Sequence, residues 1–116
     1  MQSSAIRKLA AERSCVIVGR CSDYVLRNNP NCVSIFLHST EEDRVQRICE
    51  RSGMSPQKAL TQIRTEDRRR AAYYNFYSDK TWGDAATYSL SIDVSKVGIE
   101  GAAELTIEYL KLMHKL

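Results

Sequence analysis

The residues best able to do chemistry lie in one stretch, Ile63 to Asp84, IRTEDRRRAAYYNFYSDKTWGD. It carries Arg64, Arg68, Arg69 and Arg70, then Tyr73, Tyr74, Phe76 and Tyr77, and the chain's only tryptophan, Trp82. Asp67 precedes Arg70 by three residues, so on a helix the two share a face, while Arg68 points elsewhere. Guanidinium groups stay charged and match phosphate oxygens two at a time, so arginines on a mobile segment with an aromatic anchor suit a lid closing over phosphates. The plain alternative is a solvated basic helix with a tyrosine core edge. Aromatic side chains at this density more often anchor a helix than stack on a base, so Tyr73, Tyr74, Phe76, Tyr77 and Trp82 are assigned to packing.

Two further positions stand at the ends of apolar runs. Gly19-Arg20 follows Cys15-Val16-Ile17-Val18, and Asp93 closes Tyr88-Ser89-Leu90-Ser91-Ile92. Asp93 reads as a strand-end cap, because no second carboxylate is near it in sequence to share a metal. Cys15, Cys21, Cys32 and Cys49 form no CxxC pair, and His38 and His114 are far apart, so no zinc site is expected. Cys15 and Cys32 sit in apolar runs, as small buried hydrophobes do, and no disulfide is expected.

The elements that must hold these residues follow from periodicity. Ser3 and Ser4 can cap a helix to about Glu12 with Ile6, Leu9 and Ala10 inward. Cys15–Val18 and Cys32–Leu37 are short, apolar and without alternation, the pattern of strands buried on both faces. Ser22–Arg27 is a short helix ended by Asn28-Asn29-Pro30-Asn31. Ser39-Thr40-Glu41-Glu42 has the form of a capping box with Ser39 as N-cap, opening a helix that turns Val45, Ile48 and Cys49 inward and stops near Gly53. Ser55-Pro56 starts the helix that runs into the arginines, with Ala59, Leu60 and Ile63 inward. After a loop over Lys80–Thr87, Tyr88–Val94 is a third strand. A last helix begins near Gly98 with Ile99, Ala102, Ala103, Thr106, Leu110 and Met113 as its apolar stripe.

The order α-β-α-β-α-α-β-α predicts a single α/β domain over residues 1–116, three-layered, with a parallel sheet and helices on both faces. Ligands in such sheets sit beyond the carboxyl ends of the strands. With 116 residues, 43% hydrophobic and 27% charged, the chain has ordinary globular composition. Its net charge of +3 permits an anionic ligand without demanding nucleic acid. No apolar run approaches a membrane span, and MQSSAIRKLAAERSC lacks the apolar core of a signal peptide, so a cytoplasmic location and no membrane partner are expected.

Three blocks, VIVGRCSDYVL, NCVSIFLHSTEEDRVQRI and EDRRRAAYYNFYSDKTWGDAATYSLSIDVSKVGIEGAAEL, together resemble the cytidylate kinase-like family of nucleoside monophosphate kinases, which have the P-loop NTPase fold. The resemblance implies phosphoryl transfer from ATP, with Mg, to a CMP-like nucleoside monophosphate. It implies that Arg20 lines the acceptor phosphate site, although Cys21 replaces the acid that follows this arginine in the family. It implies that Asp67 and Arg70, as the Asp-x-x-Arg of the lid helix, contact the acceptor. Arg68 falls at a lid arginine able to face the triphosphate and is, with Arg70, the catalytic candidate, and Arg64, one residue out of register with a further family arginine, is a substrate-binding candidate. The lid spans about residues 55–84.

The family's glycine-rich phosphate loop has no counterpart here. The sequence contains no G-x-x-x-x-G-K-[ST], and its five glycines are scattered singly. Phosphoryl transfer rests on positioning and charge stabilisation of the phosphates, so the chain by itself is expected to bind a monophosphate without turning it over. The resemblance also places the family's first strand between Cys15–Val18 and Val33–Leu37, and leaving it out strands two edges. A homodimer is expected to satisfy them, ahead of direct closure of those two strands or of a missing N-terminal half in a separate chain. A non-catalytic oligomerising or regulatory remnant is one alternative function. A single-stranded nucleic-acid module is another, disfavoured because the basic excess is local.

Overall fold

The structure is a computed structural model that describes residues 3–19 and 21–116. Its elements run α1 (Ser3–Glu12), α2 (Ser22–Val25), β1 (Ile35–His38), α3 (Glu41–Ser52), α4 (Pro56–Ser78), a 3-10 turn at Ala85–Thr87, β2 (Leu90–Asp93) and α5 (Val94–Leu112). It is a mixed α/β structure, mostly helical, around a two-stranded parallel sheet. Residues pair Ile35 with Leu90, Phe36 with Ser91, Leu37 with Ile92 and His38 with Asp93. α3 and α4 form the crossover that a parallel pair requires.

Side chains alternate across this pair. Ile35, Leu90 and Ile92 pack with Val94 and Ala102 of α5 as a small aliphatic core. Phe36 belongs to an aromatic group instead, stacked on Tyr88 at 4.7 Å and edge-on to Trp82 at 5.4 Å. Tyr88 in turn stacks on Tyr74 of α4 at 6.2 Å. Thus the long helix reaches the sheet through aromatic rings.

The helix boundaries have local causes. Thr40, rather than Ser39, caps α3, its hydroxyl accepting from the Asp43 amide at 3.2 Å. The Ser39 hydroxyl is engaged with that of Ser95 at 2.7 Å, a tertiary contact that outcompetes the capping box. Three acids in the first turn of α3 suit the positive end of the helix dipole. Ser55 caps α4 through the Lys58 amide, with Pro56 at the first helical position. Asp93 caps α5 by accepting from the Ser95 amide at 3.0 Å, so α5 begins four residues before Gly98. Gly98 is a break inside it, at φ 75° and ψ 175°.

Several sequence expectations need correction. Cys15–Val18 forms no strand, and among the described residues no backbone hydrogen bond joins residues 14–18 to another segment. Val16 and Val18 are 93% and 87% exposed, and Cys15 is exposed rather than buried. Among the described residues the three-layer sheet is therefore not formed: a strand exists only where a neighbour supplies hydrogen bonds, and β1 has β2 alone there. The second and third strands are shorter than their apolar runs, starting at Ile35 and Leu90. Of the tyrosine-rich run, only Tyr74 is buried, while Tyr73, Phe76 and Tyr77 form an exposed cluster. On α5, Ala102 is buried, but Ile99 is 69% exposed, and Ala103 and Met113 are also exposed.

Candidate functional site

A groove of about 1520 Å³ lies among the described residues. Residues 10–19 line one side of it, and residues 31–36, running into β1, line the other. α2, the second half of α4, the Trp82 and Tyr88 rings, Leu110 and the C-terminal residues 114–116 supply the rest of the walls, α4 contributing Arg69, Arg70, Tyr73 and Tyr74. Drug-sized ligand pockets fall at about 300–1,000 Å³, so this one exceeds what a mononucleotide needs.

α2 sits at the groove through a tight turn. Gly19 has φ 69°, and its carbonyl accepts from the Ser22 hydroxyl at 2.7 Å. Cys21 also takes a left-handed conformation, φ 57°, at the N-cap of α2. It is 5% exposed, and burial, then the Asp23 carboxylate, push its thiol above the ordinary value. The residue standing at the family's acid is therefore a buried, neutral thiol, which cannot replace a carboxylate electrostatically. Arg20 lies outside the described residues.

Asp23 links α2 to α4. Its Oδ2 accepts from the Tyr74 hydroxyl at 2.6 Å and its Oδ1 from the Tyr24 amide at 2.9 Å. Burial, and next the bond to Asp23, raise the Tyr74 pKa strongly, so the phenol stays protonated and donates. Arg27 stacks over the Tyr24 ring at 4.0 Å and donates to the Tyr24 carbonyl, bracing the same corner.

The four arginines of α4 have four settings, and Arg69 lines the groove while donating to Glu66 at 2.9 Å. Arg64 is held in a two-bond grip on Glu41 of α3, at 3.0 Å for each bond. Arg70 donates through Nη1 to Asp67 Oδ1 at 2.8 Å and lines the groove. Arg68 is exposed and outside the groove lining, and among the described residues it makes no ion pair or hydrogen bond. The structure thus brings Asp67 and Arg70 together and leaves Arg64 and Arg68 away from the groove.

Sequence reasoning missed Arg44 and Asp23, and gave Glu41 and Tyr74 only capping and packing roles. Arg44, from α3, donates Nη1 and Nη2 to the two oxygens of Asp67 at 2.6 and 2.9 Å. Its hydrogen bonds, before those of Arg70, hold the Asp67 carboxyl below the usual carboxylate range. A signal was present: Glu41-x-x-Arg44 on one helix is mirrored in charge by Arg64-x-x-Asp67 on the next.

The family model described as the cytidylate kinase-like family matches residues 1–96. The chain belongs to the cytidylate kinase-like family. A solved structure similar to it is an uncharacterized protein from Eubacterium ventriosum ATCC 27560, 37% identical with a TM-score of 0.91. The match covers 95% of this cytidylate kinase-like chain and 63% of that one, so the chain spans under two thirds of its relative's length. No curated protein matches.

The family's ATP and Mg find few fitting groups. Among the described residues there is no cluster of three or more His, Cys, Asp and Glu side chains able to hold a metal ion. Asp93 is committed to capping α5, and no glycine-rich cradle is present. No helix among the described residues is long and apolar enough to cross a membrane.

Proposed function

We propose that this chain is the acceptor and lid part of a nucleoside monophosphate kinase, taking a CMP-like monophosphate into the groove. The observation that carries this is Arg70. Of its five N–H donors, the bond to Asp67 uses one on Nη1 and leaves the Nε/Nη2 edge free at the groove wall among the described residues. That edge is the shape that receives two oxygens of one phosphate. Asp67 orients Arg70. Arg20 joins the acceptor site, Arg64 is a further substrate contact, and Arg68 serves the lid and the triphosphate. Phosphoryl transfer from ATP belongs to the complete kinase. The chain alone binds without turnover, and its working location is the cytoplasm.

The same reading supplies the missing layer of the fold. The groove is bordered by residues 14–18, which make no backbone hydrogen bond to another segment among the described residues, and by the start of β1, whose one ladder partner there is β2. A strand of about five residues spans roughly 17 Å and would pair with both. The occupant proposed is a strand from polypeptide outside residues 1–116, in keeping with the additional length of the relative, and it restores a P-loop-like parallel sheet with helices on both faces. A second copy of this chain is the competing occupant.

Trp82, the single tryptophan, lines the groove and reports on it. Titration of its fluorescence with CMP, UMP, AMP and GMP, beside thermal melts, tests the proposal. Binding only to the native state adds RT ln(1 + [L]/Kd), about 2.7 kcal/mol at a hundredfold excess over Kd. CMP or UMP is expected to shift both signals. Silence with all four at millimolar concentration rules out an acceptor site.

A further inference from the structure

We propose that Arg44 is the positioning residue that sets the direction of Arg70, acting through the shared carboxylate of Asp67. The inference rests on the reading that Arg70 grips a phosphate. It adds a residue on a different helix, α3, to the apparatus of α4.

A carboxylate alone on a helix face can rotate and can accept from an i+3 arginine in several ways. Here it cannot. Arg44 binds both oxygens, Nη1 to Oδ2 at 2.6 Å and Nη2 to Oδ1 at 2.9 Å, which fixes the carboxylate plane. The fork takes one lone pair from each oxygen, on the side where the two point the same way, so the lone pairs left lie on opposite edges of the carboxylate and no second two-bond grip can form. Arg70 therefore reaches Oδ1 with a single N–H at 2.8 Å. A single bond is what leaves its other edge free. With Asp67 unpinned, Arg70 itself would close a two-bond grip on it, as Arg64 does on Glu41, and would turn its free edge away from the groove. Arg44 and Asp67 are the less exposed members of the chain of three, with side chains 28% and 25% exposed against 53% for Arg70. The anchored end is inside and the working end outside.

The test compares full-chain wild type with Arg44→Gln, Arg44→Lys, Arg70→Ala and the Arg44→Gln/Arg70→Ala double variant, using CMP as the probe and Trp82 fluorescence as the readout. Arg44→Gln is expected to weaken CMP binding about five- to tenfold, a coupling of the size found within one ion-pair network. Arg44→Lys keeps the charge without the fork and is expected to fail as a rescue. In the double variant, Arg44→Gln is expected to add nothing to the loss from Arg70→Ala. The Arg70 side-chain Nε resonance supplies a readout that helix packing does not move: its position and width are expected to change in Arg44→Gln and Arg44→Lys, while the backbone amide spectrum certifies that each variant is folded. Unchanged CMP affinity in folded Arg44→Lys and Arg44→Gln, beside a loss in Arg70→Ala, overturns the role of Arg44 and leaves the acceptor site standing. Unchanged affinity in Arg70→Ala overturns the acceptor reading and this inference together.

Discussion

The hydroxyl of Tyr74 donates to the carboxylate of Asp23 at 2.6 Å, joining two helices 51 residues apart in the chain. The bond closes the corner where α2 meets α4 beside the groove. Tyr74→Phe leaves the ring stacked near Tyr88 and removes only the donor. A bond to a charged acceptor at a buried tyrosine contributes about 1.5–3 kcal/mol, and a melt of Tyr74→Phe is expected to show a loss in that range. A stability unchanged within error would show that water replaces the hydroxyl at no cost.

Tyr74 also gives an alkaline signature. Its folded pKa is raised, first by burial, so folding favours the protonated phenol. That contribution is fully present below the unfolded value, about 10, and is lost as pH rises from there toward the folded value. Chemical denaturation between pH 9 and 11.5 is expected to show a stability fall that is shallower in Tyr74→Phe. Parallel slopes in the two proteins would assign the fall elsewhere.

At the acid end the sign reverses. Asp67 has a lowered pKa, with Arg44 as the largest cause. Its contribution is present above the unfolded value, about 3.9, and is lost as pH falls through the folded one. Asp67→Asn is expected to cost about 1–2 kcal/mol at neutral pH, since the pair is only partly buried. The gap to wild type is expected to narrow below pH 4, measured by urea midpoints across that window. A gap independent of pH would mean that the loss comes from packing.

Arg70→Lys separates two roles for one charge. If Arg70 holds a phosphate by its free edge, lysine, a point charge, is expected to bind CMP almost as poorly as alanine does. Wild-type affinity in Arg70→Lys would reduce the arginine to charge balance on the helix. Single-stranded RNA supplies the contrast: binding that falls steeply and linearly in log–log salt would favour a nucleic-acid surface.

The groove itself can be filled. The part of the Eubacterium ventriosum relative that lies outside the match, added as a separate polypeptide, is expected to raise the melting temperature and to protect the amides of Ile17, Val18 and Ile35 from exchange. If those amides are protected in this chain alone, in step with a concentration-dependent dimer seen by light scattering, the occupant is a second copy. Fast exchange there with either partner present would leave the segment without a strand partner.

The two in-helix glycines of α5 make opposite demands. A Cβ on Gly98 would meet nothing within 4 Å, yet the backbone there is one that L-residues rarely adopt. Gly98→Ala is expected to cost about 1–3 kcal/mol through backbone strain alone, with no relief from Val97→Ala. A Cβ on Gly101 would lie 2.8 Å from that of Val97. Gly101→Ala is therefore expected to be destabilising, and because Val97→Ala keeps that Cβ, to be relieved only in a Val97→Gly background.

What the amino-acid sequence determined by itself was local. Ser55-Pro56, Gly53 and the apolar spacing of Ala59 and Ile63 specified α4 and its start, because caps and helical periodicity act within a few residues. The family blocks and the pairing of Asp67 with Arg70 were legible for the same reason. Tertiary structure alone decided the rest. Val16 and Val18 have the composition of a strand, but a strand is a relation between two backbones, and no partner lies within hydrogen-bonding reach of them among the described residues. Ser39 looked like a cap until Ser95, 56 residues away, claimed its hydroxyl. Arg44 looked like one more surface charge until α4 folded back to place Asp67 against it. Each of these outcomes depends on groups remote in sequence, and the energy of such contacts is not carried by either residue alone.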